Sequence, residues 1–112
     1  MKKNLLTLKT QFETYKVSLE LDTYLDSKRI AILLIGWEKN ESYPVATLTV
    51  NIPDENISGI NCNFVDDNNL PFICSFIEKY KLGEPTHNLA FSGYCVYPEY
   101  KFNLDEIKKY II

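Results

Sequence analysis

The chain has 112 residues, 46% of them apolar and 24% charged, with a net charge of −3. That length suits one domain with a single core that needs no disulfide or metal staple, and the charge is too small to steer a partner by itself. The longest uncharged apolar run, Ile30 to Trp37, falls well short of the roughly 20 residues of a membrane span.

Residues 1 to 12 fit two patterns: Leu5, Leu8 and Phe12 share a helical face, while Leu6, Leu8 and Thr10 share a strand face. The basic start, Met1-Lys2-Lys3, leads into an apolar stretch that stops at Lys9, too short for a signal peptide. From Lys16 to Tyr24, Val17, Leu19 and Leu21 alternate with Ser18, Glu20 and Asp22, which predicts a half-buried strand. Asp26-Ser27-Lys28 is a polar turn. Arg29 to Gly36 is an Ile-rich run suited to a central strand. After a charged loop over 38–42, Tyr43-Pro44 opens a strand whose alternation runs from Val45 to Ile52. Three strands on short loops predict an antiparallel meander.

Pro53 to Asn56 breaks the pattern, and Ile60 to Val65 is a short further strand. Asn68 or Asn69 is a natural helix cap, and Pro71 suits a first turn because its missing N–H costs nothing there. Phe72, Ile73, Phe76, Ile77 and Tyr80 form a core-facing stripe. Gly83 fits the left-handed residue after a helix, and Pro85 stops its continuation. Asn88 to Tyr97 predicts an aromatic strand with a bulge or close approach at Gly93. Asn103 caps a short last helix whose apolar side is Leu104, Ile107 and Ile111. This order predicts an α+β domain over 1–112. Its single, mainly antiparallel sheet of four to five strands would carry one main helix over about 69–82 and a short C-terminal helix.

Several segments together resemble a known family. They are Ala46-Thr47-Leu48-Thr49-Val50-Asn51-Ile52-Pro53, Asp66-Asp67-Asn68-Asn69-Leu70-Pro71, Phe76-Ile77-Glu78, Leu82-Gly83-Glu84-Pro85-Thr86 and Ser92 to Phe102. The chain is similar, from about Val17 to Phe102, to an uncharacterised domain-of-unknown-function family seen mostly in Firmicutes, often within conjugative elements and prophages. The resemblance carries no activity. It implies a mobile-element setting, in which small proteins often inhibit host defence or regulate the element.

Catalytic chemistry finds little material. His87 is the only histidine, and an extended strand would hold Cys95 roughly 25 Å away at about 3.3 Å per residue. Cys62, Cys74 and Cys95 are scattered, without metal-ligand spacing, and fit small buried residues in a reducing cytoplasm. Asp66-Asp67 lacks the remaining parts of a cation loop, and the four glycines are isolated, so no phosphate loop exists. Neither metal nor cofactor is expected. The acids Glu38, Glu41, Asp54, Glu55, Asp66, Asp67 and Glu78 share their window with one base, Lys39, so it carries −6 and could face a basic partner.

The candidate binding residues are Asp66, Asp67, Asn68, Asn69 and Glu84 at the polar ends of the helix, with Tyr94, Tyr97 and Tyr100 on the next strand. The leading expectation is a cytoplasmic, non-enzymatic protein that binds another protein, as an anti-defence inhibitor or accessory factor of a phage or mobile element would. A nucleic-acid-associated regulator is the alternative, weakened because only Lys101 lies near the aromatics. A small enzyme is the third reading.

Overall fold

The structure, a computed structural model, describes residues 4–112. The basic start Met1-Lys2-Lys3 lies outside the described residues. The strands are β1 Leu6–Lys9, β2 Thr14–Thr23, β3 Ile30–Glu38, β4 Glu41–Thr47, β5 Thr49–Val50, β6 Cys62–Val65, β7 Gly83–Ser92 and β8 Cys95–Phe102. The helices are α1 Ile73–Lys79, before β7, and α2 Leu104–Lys108, after β8. They build two antiparallel sheets, ordered β1-β2-β3-β4 and β5-β6-β8-β7. The fold is therefore mostly β, and the predicted α+β domain with one sheet and a main helix is wrong.

The meander part of the reading holds. β2, β3 and β4 pair in sequence, and residues 6–9 resolve their ambiguity as a strand against β2. The 38–42 segment is a tight hairpin rather than a loop. Lys39 and Asn40 both have positive φ (50° and 69°), the primed-turn geometry whose twist matches the strands it joins.

The second sheet arises where the alternation gives no warning. The run Val45–Ile52 is not one strand, because the chain turns a corner at Leu48. Its N–H donates to Ile32 O in the first sheet (2.8 Å), and its carbonyl accepts from Asp66 N in the second (3.0 Å). The neighbouring Thr49 hydroxyl bonds Tyr24 Oη (3.0 Å) and accepts from Ile32 N (3.2 Å). One continuous segment thus serves both sheets.

The core lies between them. Leu6, Leu8, Val17, Leu19, Ile32 and Leu34 from the first sheet meet Val65, Tyr100 and Phe102 from the second, with Ile73, Phe76, Ile77 and Ile107 from the helices. Each such side chain contributes roughly 1.5–3 kcal/mol by leaving water.

The predicted helix over 69–82 shrinks to α1. Phe72 is its N-terminal boundary, without any side-chain cap, and residues 67–69 form a separate turn. Its end is also displaced. Lys81, not Gly83, takes the left-handed conformation (φ 57°). Lys81 N donates to Glu78 O (3.2 Å) and Leu82 N to Ile77 O (2.9 Å), the paired bonds of a Schellman termination. That register places Leu82 in the core beside the helix it terminates, an apolar gain that outweighs the preference for glycine. Gly83 instead opens β7, where a Cβ would sit 2.9 Å from Lys101 O.

At the C-terminus, Asn103 caps α2 as its sequence suggests, its side-chain oxygen accepting from Glu106 N (3.2 Å). Ile111 lies beyond that short helix and forms a parallel bridge to Leu19, so it does not share the apolar side of α2.

Candidate binding surface

The predicted aromatic strand over 88–97 is a hairpin. Gly93 has φ 61° and Tyr94 has no positive φ, the pattern of a two-residue turn with glycine at its first position. The turn closes the pair Ser92↔Cys95, followed by Phe91↔Val96, Ala90↔Tyr97 and Leu89↔Pro98.

This register decides what the hairpin shows. On β8, the alternation that places Phe102 and Tyr100 in the core continues through Pro98 to Val96. Cross-strand pairing sets Leu89 and Phe91 on that same face. The hairpin runs past the end of β6, so this apolar face leaves the core. Phe91 is 62% exposed, Leu89 47%, Val96 40%, and Tyr94 at the turn is fully exposed. No charged residue occurs from Asn88 to Pro98.

The Asp66–Asn69 turn braces this hairpin. Asp66 accepts from Asn69 N (3.3 Å) and Asn69 Nδ2 (3.0 Å), which closes the turn. Asn68 Nδ2 donates to Val96 O at 3.2 Å and ties the turn to β8. Asp67 Oδ1 is buried without a hydrogen-bond partner. Burial pushes its carboxyl up, and the charge of Asp66 adds to the shift. Contact with Cys95 pushes the Tyr97 hydroxyl up, with burial, Asp66 and Asp67 contributing in the same direction.

The structure therefore brings Asp66, Asp67, Asn68, Asn69, Tyr94 and Tyr97 to one end of the second sheet. It separates the other two candidates from them. Tyr100 is buried, and its hydroxyl donates to Glu78 Oε2 at 2.9 Å. Burial raises that hydroxyl strongly, and contacts with Cys74 and Glu78 add to it. Glu84 is exposed on β7 opposite Lys101, in a cleft of about 920 Å³ that also takes in Lys81, Asp105 and Lys108. The acids of the 38–78 window are distributed over the β3–β4 turn, the 53–56 loop, the 66–69 turn and α1.

One residue escaped the sequence reading. Glu99 is fully buried. It accepts from Ser58 N (2.7 Å), Ser58 Oγ and Thr86 Oγ1. Asn88 Nδ2 reaches Asn56 O nearby (3.2 Å), so the loop over 53–60 is clamped across the outer face of the second sheet. Burial drives the carboxyl up, but these donors bind the charged form and hold it below its ordinary value. The available signal was a lone charge in a strand otherwise uncharged from Asn88 to Tyr100.

His87 sits in the β7 bulge with φ 71°, away from Cys95 beside the turn. All three cysteines are free; Cys62 is buried, and Cys74 and Cys95 are half-buried. Among the described residues, no group of three or more His, Cys, Asp or Glu side chains could hold a metal ion. No helix among them is long and apolar enough to cross a membrane.

Two small antiparallel sheets joined at a corner, with an exposed apolar hairpin at one end, define a mostly-β fold. The chain belongs to the DUF4313 family, described as a domain of unknown function, whose model matches residues 18–111. No curated protein and no solved structure matches the chain.

Proposed function

We propose that this protein is a non-enzymatic protein-binding domain that docks its partner on the apolar face of the β7–β8 hairpin. The observation that carries this reading is the shared exposure of Leu89, Phe91, Tyr94 and Val96 on one uncharged hairpin. Water contact with that much neighbouring apolar surface is costly, and aromatic side chains are enriched where interfaces concentrate their binding energy. The Asn68 brace holds the hairpin in place before binding, which lowers the ordering cost of association. A finer reading, an anti-defence inhibitor or accessory factor encoded by a phage or mobile element, rests on the mobile-element setting that the sequence resemblance implies.

The test is affinity capture from host lysate with mass spectrometry, comparing the unaltered chain with a Phe91→Ser, Tyr94→Ser double variant. Both positions are exposed, so the variant keeps the fold. Truncating a central aromatic costs an interface about 2 kcal/mol or more, so a partner enriched by the unaltered chain should be lost. Retention of every partner by the variant refutes the hairpin as the docking face. Binding of DNA or RNA at low salt, fading steeply as salt rises, would replace this reading with a nucleic-acid one.

A further inference from the structure

We infer that the chain holds a binding site for a small amphipathic anion, an aliphatic tail with one carboxylate, in the cleft where the β2–β3 turn, the 57–61 segment and the start of α2 converge. The cleft has a volume of about 690 Å³, within the usual range for small-molecule sites. Its apolar wall is Leu21, Ile30, Ile57, Ile60 and Leu104. Ile60 is 85% exposed, and the other four are half-buried. Leu21, Ile30 and Leu104 pack against the core, so the cleft reaches the core's edge. The walls are fixed by the chain's own bonds. Arg29 donates to Ile52 O (2.8 Å) and Pro53 O (3.3 Å). Asn63 Nδ2 donates to Ile30 O (2.8 Å), and Phe102 N to Asn61 O (2.8 Å). With the Glu99 clamp on Ser58, these bonds hold Ile57 and Ile60 opposite the β2–β3 turn. A cleft shaped ahead of its ligand loses little ordering entropy on binding.

The rim sets the charge of the ligand. Lys28 and Arg29 line it against one acid, Asp22, so the rim is net positive in a chain of net charge −3. Asp22 already accepts from Thr23 N (2.8 Å). Among the described residues, the Lys28 ammonium has no ion-pair or hydrogen-bond partner. Arg29 spends two of a guanidinium's five N–H donors on carbonyls, which leaves the others for an anion. One carboxylate balances this rim. Lys28 also stands in the left-handed region (φ 62°), where glycine would relieve the backbone, so its ammonium reaches the rim at a cost in strain. The wall sets the tail. It is branched aliphatic, and among the described residues no aromatic side chain lines the cleft. A nucleobase would find nothing to stack on, whereas a flexible hydrocarbon tail gains by leaving water.

The test follows backbone amide chemical shifts of the isotope-labelled chain during titration with sodium octanoate and with octanol, its neutral counterpart. Saturable shifts at Lys28, Ile57, Ile60 and Asn61 are expected, with octanoate bound about fivefold more tightly than octanol. Absence of saturable shifts at these residues through millimolar octanoate overturns the inference, and so does equal affinity for the two probes. Two variants test the parts. Ile60→Glu alters an exposed side chain, so the fold stays, and it should weaken octanoate at least about tenfold by placing a charge in the apolar wall. Lys28→Gly should reduce octanoate to the affinity of octanol; its relieved backbone keeps the fold stable, so a lost preference is not a lost fold. Unchanged octanoate binding in the first variant, or an unchanged preference in the second, refutes the site. The Phe91→Ser, Tyr94→Ser variant should bind octanoate as the unaltered chain does. Loss of binding there instead assigns the amphiphile to the hairpin and overturns the inference while the docking reading stands, so the two readings fail separately.

Discussion

Glu99 carries a carboxylate into a place that water does not reach, and its neighbours explain how. Ser58 supplies two donors and Thr86 a third, all of which favour the charged form. Its folded value therefore lies below the ordinary carboxylate value, which the unfolded chain retains. Ionised Glu99 stabilises the fold at neutral pH, and that contribution fades as pH falls through the lower, folded value. Glu99→Gln should cost about 1–3 kcal/mol at pH 7. Urea denaturation should show the gap to the unaltered protein closing as the solution is acidified. A gap that holds constant or widens in acid contradicts the assignment. The turn residues Asp66 to Asn69 were legible as a polar feature because turn chemistry is local. Glu99 was not, because its burial depends on a loop some 40 positions earlier in the chain.

The elements were readable where alternation is strict and misread where two local signals compete. β2 follows the period-two pattern, β3 is a continuous apolar run between a polar turn and a charged segment, and both appear within a few residues of the reading. The end of α1 shows the competition. Gly83 is the obvious terminator, yet burial of Leu82 moves the left-handed position to Lys81. Two substitutions should consequently have opposite signs. Lys81→Gly relieves a left-handed side chain and should stabilise the fold by about 1 kcal/mol. Gly83→Ala drives a Cβ into the Lys101 carbonyl and should destabilise by about 1–3 kcal/mol. Thermal or urea midpoints decide both. The hairpin was missed for a related reason. Phe91 to Tyr97 is uncharged and rich in aromatic residues, so a two-residue turn at Gly93-Tyr94 hardly interrupts it.

At the scale of the molecule, the number of sheets was beyond the sequence. The run Val45–Ile52 alternates through the corner as though nothing happened, and only long-range bonds to Ile32 and Asp66 show that Leu48 belongs to both sheets. Leu48 is fully buried, and its side chain joins the core that the two sheets share. Leu48→Ala should lower stability by about 2–5 kcal/mol. With the corner intact, the two sheets should unfold in one cooperative transition.

That corner has an optical consequence. The one tryptophan, Trp37, lies on β3, where its indole donates to Ser18 Oγ at 2.8 Å. Its fluorescence therefore reports the first sheet alone, whereas far-ultraviolet dichroism averages over both. In the unaltered protein the two signals should trace the same curve. If a cut at the corner lets the sheets separate, the emission of Trp37 will change at a denaturant concentration of its own, and a single residue will reveal which half of the molecule has come apart.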